Sequence, residues 1–430
     1  MKLNVYTSAV TAAFAVAASA IVIAAEIDNN PLECLAVHEW GTFTSVAGED
    51  GSAIEWNVLG GQDDLPNFVN SRGYRCFKFR LAGTVRMETP VLYFYSKSEM
   101  TAHVTVQFPH GVITEWYPKG DTAIYESKSL MDRMGTSTDD AVYQTKTLID
   151  PPPPGLDLLL VKLSPSMNGL DTSLRNLMST IAWKNIQVQP DMTPDLPAEA
   201  RPSRYYAARA TDADPISAGD EHEKFLFYRG VGRIETPLSA RISPDAKIVI
   251  AKNGSDAVPM VMLFENQGGH LGYTRGYTLR DSITLEHPSL NGSQTELADQ
   301  LEKALVAQGL FWKEAHAMVT TWQDSWFEEG SRLIYIVPPH VVDSFLPLHV
   351  DPAPAQTTRV FVGRIELITP EMKRSVQEAI SNNDISAANR YGRFLEPILD
   401  RLLHENPTSA GEINRFRGEV SAAMPSGTCR

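Results

Sequence analysis

Val91-Leu92-Tyr93-Phe94-Tyr95 and Val104-Thr105-Val106-Gln107-Phe108 are two strand-length runs of β-branched and aromatic residues with turn residues between them. Such side chains suit a pleated, half-buried surface and lose rotamer freedom in a helix. The pair sets the texture of a β-rich portion from residue 37 to about residue 163. Residues 156–163 add an apolar run of strand length. Before it stands Pro151-Pro152-Pro153-Pro154-Gly155, which lacks the donors a central strand needs. Residues 170–181 read as a short helix. Residues 190–202 read as a Pro- and acid-rich linker.

A second β-rich portion runs from 224 to about 285, with Phe225-Leu226-Phe227-Tyr228, Ile248-Val249-Ile250 and Val261-Met262-Leu263-Phe264 as its strands. The texture then turns helical. Ser293-Gln294-Thr295-Glu296 has the spacing of a capping box, and Leu297, Leu301, Ala304 and Leu305 follow at helical spacing up to Gly309. Trp312, Ala315, Val319, Trp322 and Trp326 form a second apolar stripe, ended by Gly330. Strands are expected at 333–337 and 360–362. A helix opens at Thr369-Pro370 with Met372, Val376 and Ile380 on one face, and a last helical pattern covers 386–404 with an interruption at Pro397. The fold class is α+β: two β-rich, sandwich-like portions (26–190 and 203–290), then a mixed, mainly helical portion (291–430).

The amino terminus has the order of a secretory signal. Lys2 is followed by a nearly unbroken small and apolar run over 9–25, with Ala18-Ser19-Ala20 and Val22-Ile23-Ala24 as small-residue cleavage sites. Cleavage within residues 1–25 would make the working protein secreted or periplasmic. No later stretch is long and apolar enough to span a bilayer as a helix. A hydrophobic fraction of 43% supports a packed core. The net charge of −14, one unit more acidic once Lys2 is removed, opposes binding to nucleic acid. Cys34, Cys76 and Cys429 leave any single disulfide open, with one thiol over. The sequence does not fix oligomeric state.

Three Arg-x-Glu steps share an apolar middle residue: Arg86-Met87-Glu88, Arg233-Ile234-Glu235 and Arg364-Ile365-Glu366. On a strand the arginine and glutamate share one face. Ordinary sheet ion pairs explain this, and so would a cleft in which arginine fixes the ionisation of a working glutamate. Three tryptophans follow a glutamate, at Glu39-Trp40, Glu55-Trp56 and Glu115-Trp116. Indoles are mostly core residues. Exposed beside carboxylates, they would instead suit sugar rings, and paired carboxylates would suit glycoside cleavage. His38, next to Glu39, is a candidate base or metal ligand. The remaining histidines are scattered and no close metal-ligand spacing occurs; a site joining distant residues such as His38 and His222 stays open. Phosphate-binding, dinucleotide and G-x-S-x-G motifs are absent, and no pattern assigns a cofactor.

His38-Glu39-Trp40-Gly41-Thr42-Phe43-Thr44-Ser45-Val46, Met87-Glu88-Thr89-Pro90-Val91, Thr114-Glu115-Trp116-Tyr117-Pro118, Lys224-Phe225-Leu226-Phe227-Tyr228-Arg229-Gly230-Val231-Gly232 and Trp326-Phe327-Glu328-Glu329-Gly330 together resemble a family of uncharacterised exported proteins of environmental bacteria. The resemblance implies export and one recurring architecture, and no activity. The expectation is an extracytoplasmic binding or scaffold protein with a polysaccharide or other extracellular ligand. Its candidate ligand-binding residues are Trp40, Trp56, Trp116, Arg86 and Arg233. The alternative is a secreted hydrolase, carboxylate-based or metal-assisted, using His38, Glu39, Glu88, Glu115 and Glu235.

Overall fold

The computed structural model describes residues 35–58, 65–72, 82–126, 177–200, 203–386 and 390–423. The segment read as a signal, the three cysteines, the Pro151-Pro154 run and the apolar run at 156–163 lie outside the described residues.

The β-branched and aromatic runs do form strands, and seven strands, five of them carrying such runs, make the body of a ten-stranded sheet. They are β1 (Ala36–Val46), β2 (Val85–Tyr95), β3 (Gly111–Tyr117), β4 (Leu226–Gly232), β5 (Val258–Gln267), β6 (Gly330–Ile336) and β7 (Gln356–Leu367). Their order across the sheet is β5-β6-β7-β1-β2-β4-β3. All these neighbours are antiparallel except β1 and β7. Every residue of β1 is buried, which fits its central place and its covering on both faces.

Two smaller sheets pack on one face of the large one. The first is built on Met100–Pro109 and Leu177–Val188, the second on Leu238–Ile242 and Ile248–Lys252. Val37, Met87, Leu92 and Phe94 of the large sheet share one apolar core with Val104, Phe108, Ile181 and Trp183, and with Ala240 and Ile250. The other face is covered by helices. The helix pair α1 (Gln294–Val306) and α2 (Trp312–Trp326) covers one end of it. The group α4 (Pro370–Asn382), α5 (Leu395–Glu405) and α6 (Ala410–Ala423) covers the other. The short α3 (Pro339–Phe345) lies between β6 and β7 in the chain. The protein is α+β, with the helices concentrated in its C-terminal part.

Two local readings change. Residues 177–181 are strand, not helix: Leu177, Ser179, Ile181 and Trp183 alternate inward, and period two wins over the helical spacing of the leucines. Trp312 opens the α2 stripe but is 62% exposed, while Ala315, Val319, Trp322 and Trp326 are buried. Pro397 sits in the first turn of α5, where its missing N–H costs no intrahelical bond. The portions read as separate also share a sheet. β7, from the C-terminal portion, lies between β1 and β6, and residues 32–430 form one compact unit.

Candidate functional site

The quoted motifs meet along one line of irregularity in the middle of the large sheet. Trp40 pairs with Val91 and Thr42 with Glu88, so Gly41 of β1 faces both Thr89 and Pro90 of β2. Across β4 and β3, Arg229 pairs with Glu115 and Gly230 with Ile113, leaving Thr114 as an extra residue. Thr89 is left-handed at φ 52°, a strained place for a β-branched residue, and Pro90 has no N–H to lose. A bulge shifts side-chain parity. Val91 and Tyr93 therefore share the helix-covered face with Arg86 and Glu88, instead of lying opposite them.

The result is a polar band between two apolar clusters. On one side Trp40, Tyr93 and Phe227 pack under α1 and α2; on the other Val46, Val112 and Val231 pack under α4–α6. Thr44 of β1 stands opposite both Arg86 and Arg364, so two of the three Arg-x-Glu steps flank it. Arg364 Nη2 reaches Glu366 at 2.8 Å and Glu328 at 2.6 Å, and Arg332 Nε reaches Glu366 at 3.0 Å. Arg393, from the turn Gly392–Phe394, pairs with Glu88, and Arg86 Nε lies 3.5 Å from the same carboxylate. The arginines also close the end of α2. Arg364 donates to the Ser325 carbonyl, and Arg332 to the carbonyls of Trp326, Glu328 and Glu329. A helix C-terminus leaves such carbonyls unpaired and carries partial negative charge, so buried guanidinium groups satisfy both needs.

Electrostatics follow from this crowding. Burial would raise the Glu88 pKa, but Arg393, Arg86, Arg229 and Arg364 hold it below the usual carboxylate range. Glu328, whose side chain reaches solvent at the edge of the band, is partly desolvated, but Arg364, Arg332 and Arg393 outweigh this and lower its pKa. Burial lowers the pKa of Arg393 and Arg332, while Glu366 and Glu328 overcome burial and raise that of Arg364. The band can hold fixed charge in a dry interior.

The other candidates lie elsewhere. Glu39 points to the opposite face of β1, where Arg359 Nε is 2.6 Å away and the Tyr228 hydroxyl donates at 2.5 Å. His38 is fully buried on the helix side; its Nδ1 is 2.9 Å from Glu314 of α2, and its ring packs on Phe311 at 4.5 Å. Glu115 is buried and accepts from the Thr114 hydroxyl. Glu235 is exposed beyond the end of β4, and half-buried Arg233 pairs with Glu55. The third Arg-x-Glu step is thus not on a strand. Trp40 and Trp56 are core residues and offer no ring face to a sugar. Trp116 is half-buried, with the Arg72 guanidinium over its ring. His38 and His222 are not joined, and among the described residues no three His, Cys, Asp or Glu side chains are grouped to hold a metal.

Two cavities are each lined in part by Tyr117, at the end of β3. One is a narrow slot lined by Phe68, Tyr117, Tyr205, Tyr206, Phe225 and Phe227. Its wall carries a bidentate pair, Arg209 to Glu223, with bonds of 2.6 and 3.0 Å, and the guanidinium packs on Tyr206. Burial raises the Glu223 pKa, with Arg209 opposing. The other cavity, of about 530 Å³, opens among Asp195, Asp220, Glu221 and His222. Sequence reasoning missed this cleft because its rings come from the four separate stretches 65–69, 117, 205–209 and 223–227. It also missed Glu314, Arg332, Arg359 and Arg393, which only the fold brings to their partners. No protein-family model matches the chain, and no curated protein is significantly similar to it.

Proposed function

We propose that this chain is an extracytoplasmic binding or scaffold protein, and that its interior carboxylates are structural. The observation that carries the reading is the division of those carboxylates across the sheet. Glu39 and Glu88 lie on opposite faces, each held by its own arginine, with the Tyr228 hydroxyl also donating to Glu39. Glycoside cleavage needs two carboxyl groups facing one substrate bond, and these two cannot do so. Export is supported by the Lys2-led apolar segment over 9–25 with its small-residue cleavage sites. The combined motifs support membership of the family of exported proteins that they resemble.

Protein recovered from the producing cell's exterior or periplasm is expected to begin between residues 19 and 26, as read by mass. The recovered protein is expected to turn over no glycoside, ester or phosphate substrate. Turnover abolished by Glu88→Gln or Glu39→Gln, with the fold retained, would overturn the reading. A full-length, cell-retained chain would overturn the export part.

A further inference from the structure

We propose that the cavity enclosed by the end of β5, the start of β6 and α4 binds a single neutral sugar ring. The inference rests on the binding-protein reading and names the ligand class. The cavity holds about 330 Å³, at the small end of the roughly 300–1,000 Å³ of ligand pockets. Its walls come from Asn266 to Gly268, from Glu329 and Gly330, and from the first turns of α4. Gly330 has a φ of 128°, and a Cβ there would come within 2.6 Å of Arg332 Nη2, so glycine lets this wall lie directly on the buried Arg332–Glu366 pair. Tyr391 points to an occupant. It is 7% exposed, its ring packs in the apolar cluster under α4–α6, and it lines the cavity. Its hydroxyl makes no hydrogen bond with any described residue. A buried hydroxyl without a partner costs stability, and the cavity is where a partner can meet it.

The lining decides the class. Glu329 and Glu371 bring acceptors, and neither carboxylate is ion-paired among the described residues. Arg390, whose Nη1 donates to the Ser375 hydroxyl at 3.0 Å, and Tyr391 bring donors. The single negative charge left over is offset by the partial positive charge of the α4 N-terminus and by Arg332 behind Gly330. An ion of either sign therefore gains little. A wholly apolar ligand would leave the polar groups unpaired. Sugar hydroxyls donate and accept at once, so they match a lining that mixes donors with acceptors. Met372 and the Tyr391 ring offer apolar surface to the C–H groups of the sugar.

The test is calorimetric titration of the full mature protein with the methyl glycosides of glucose, galactose, mannose and N-acetylglucosamine, and with acetate and ethylammonium as ionic controls. At least one glycoside is expected to bind saturably, with an affinity that salt leaves unchanged; the two ions are expected not to bind. Tyr391→Phe removes only the hydroxyl and is expected to weaken that binding about threefold to tenfold with the fold retained. Ser375→Phe places a ring in the cavity from the surface of α4 and is expected to abolish it. The proposal is overturned if none of the four glycosides binds, if either ion binds as well as they do, or if folded Tyr391→Phe keeps full affinity. Any of these results from an exported, unreactive protein would leave the binding-protein reading standing. A glycoside recovered cleaved, with binding weakened by Tyr391→Phe, would support the site and overturn the non-catalytic reading instead.

Discussion

Glu88 is a carboxylate surrounded by guanidinium groups in a dry place, and its neighbours depend on it more than it depends on them. Neutralising it leaves Arg393 and Arg86 buried with no anion at their shared contact. Breaking a buried pair from one side costs about 3–5 kcal/mol. Glu88→Gln is therefore expected to lower unfolding stability by about 3 kcal/mol in urea denaturation. Adding Arg393→Met is expected to recover part of the loss; additive losses would mean the two side chains are not coupled. Gly363 makes a second demand at this scale. A Cβ there would fall within 2.0 Å of the buried Tyr335 ring, so Gly363→Ala is expected to cost about 1–3 kcal/mol, read as a lower Tm. The Arg-x-Glu pattern was legible as a shared face at 86/88 and 364/366, because both steps lie inside strands. It misled at 233/235, where β4 has already ended at Gly232. Strand ends are set by pairing partners far along the chain, which spacing does not display.

At the scale of elements, the helices were the more legible part. Ser293 caps α1 through the N–H of Glu296, and Thr369 caps α4 through that of Met372. Ser293→Ala is expected to cost about 1 kcal/mol in thermal or urea unfolding. The bulges were not legible, because an extra residue in one strand has no meaning until its partner is known. A less visible link joins the small three-stranded sheet to β5. His287 Nδ1 lies 2.6 Å from Glu265 and Nε2 lies 2.6 Å from the Ala246 carbonyl. Both neighbours are acceptors, so only the imidazolium satisfies both. Burial would lower the His287 pKa, but these two contacts and Glu286 raise it above 6.5. The link therefore contributes in full below pH 6.5 and is lost as pH rises through the elevated folded value. The protection factors of Ile248–Lys252, corrected for intrinsic base-catalysed exchange, are expected to fall across that rise. His287→Gln should remove the pH dependence of protection; an unchanged protection profile in the variant would show that His287 does not anchor the sheet.

At the scale of the molecule, the order β5-β6-β7-β1-β2-β4-β3 makes the C-terminal strands part of the N-terminal core. Composition and texture divided the chain at 190–202 and near 290 because the β-rich and helical stretches are contiguous in sequence. They could not reveal that β7 returns beside β1, since parallel pairing across some 320 residues leaves no local signal. A chain stopped at residue 290 would lack β6, β7 and helices α1 to α6. It would expose one edge of β1 and strip α1 and α2 from the apolar cluster that holds Trp40, Val91, Tyr93, Phe227 and Phe264. Arg86 and Glu88 would lose Arg364 and Arg393, two of the four cations that hold the Glu88 pKa down, and keep only Arg229 beside them. Burying large apolar side chains is worth about 1.5–3 kcal/mol each, and total stability is only about 5–15 kcal/mol, so these losses exceed what the remainder can sustain. The truncated chain is therefore expected to show no cooperative thermal transition and to aggregate through its open strand edge. A sharp calorimetric transition from residues 26–290 would show instead that the β-rich part is a domain in its own right.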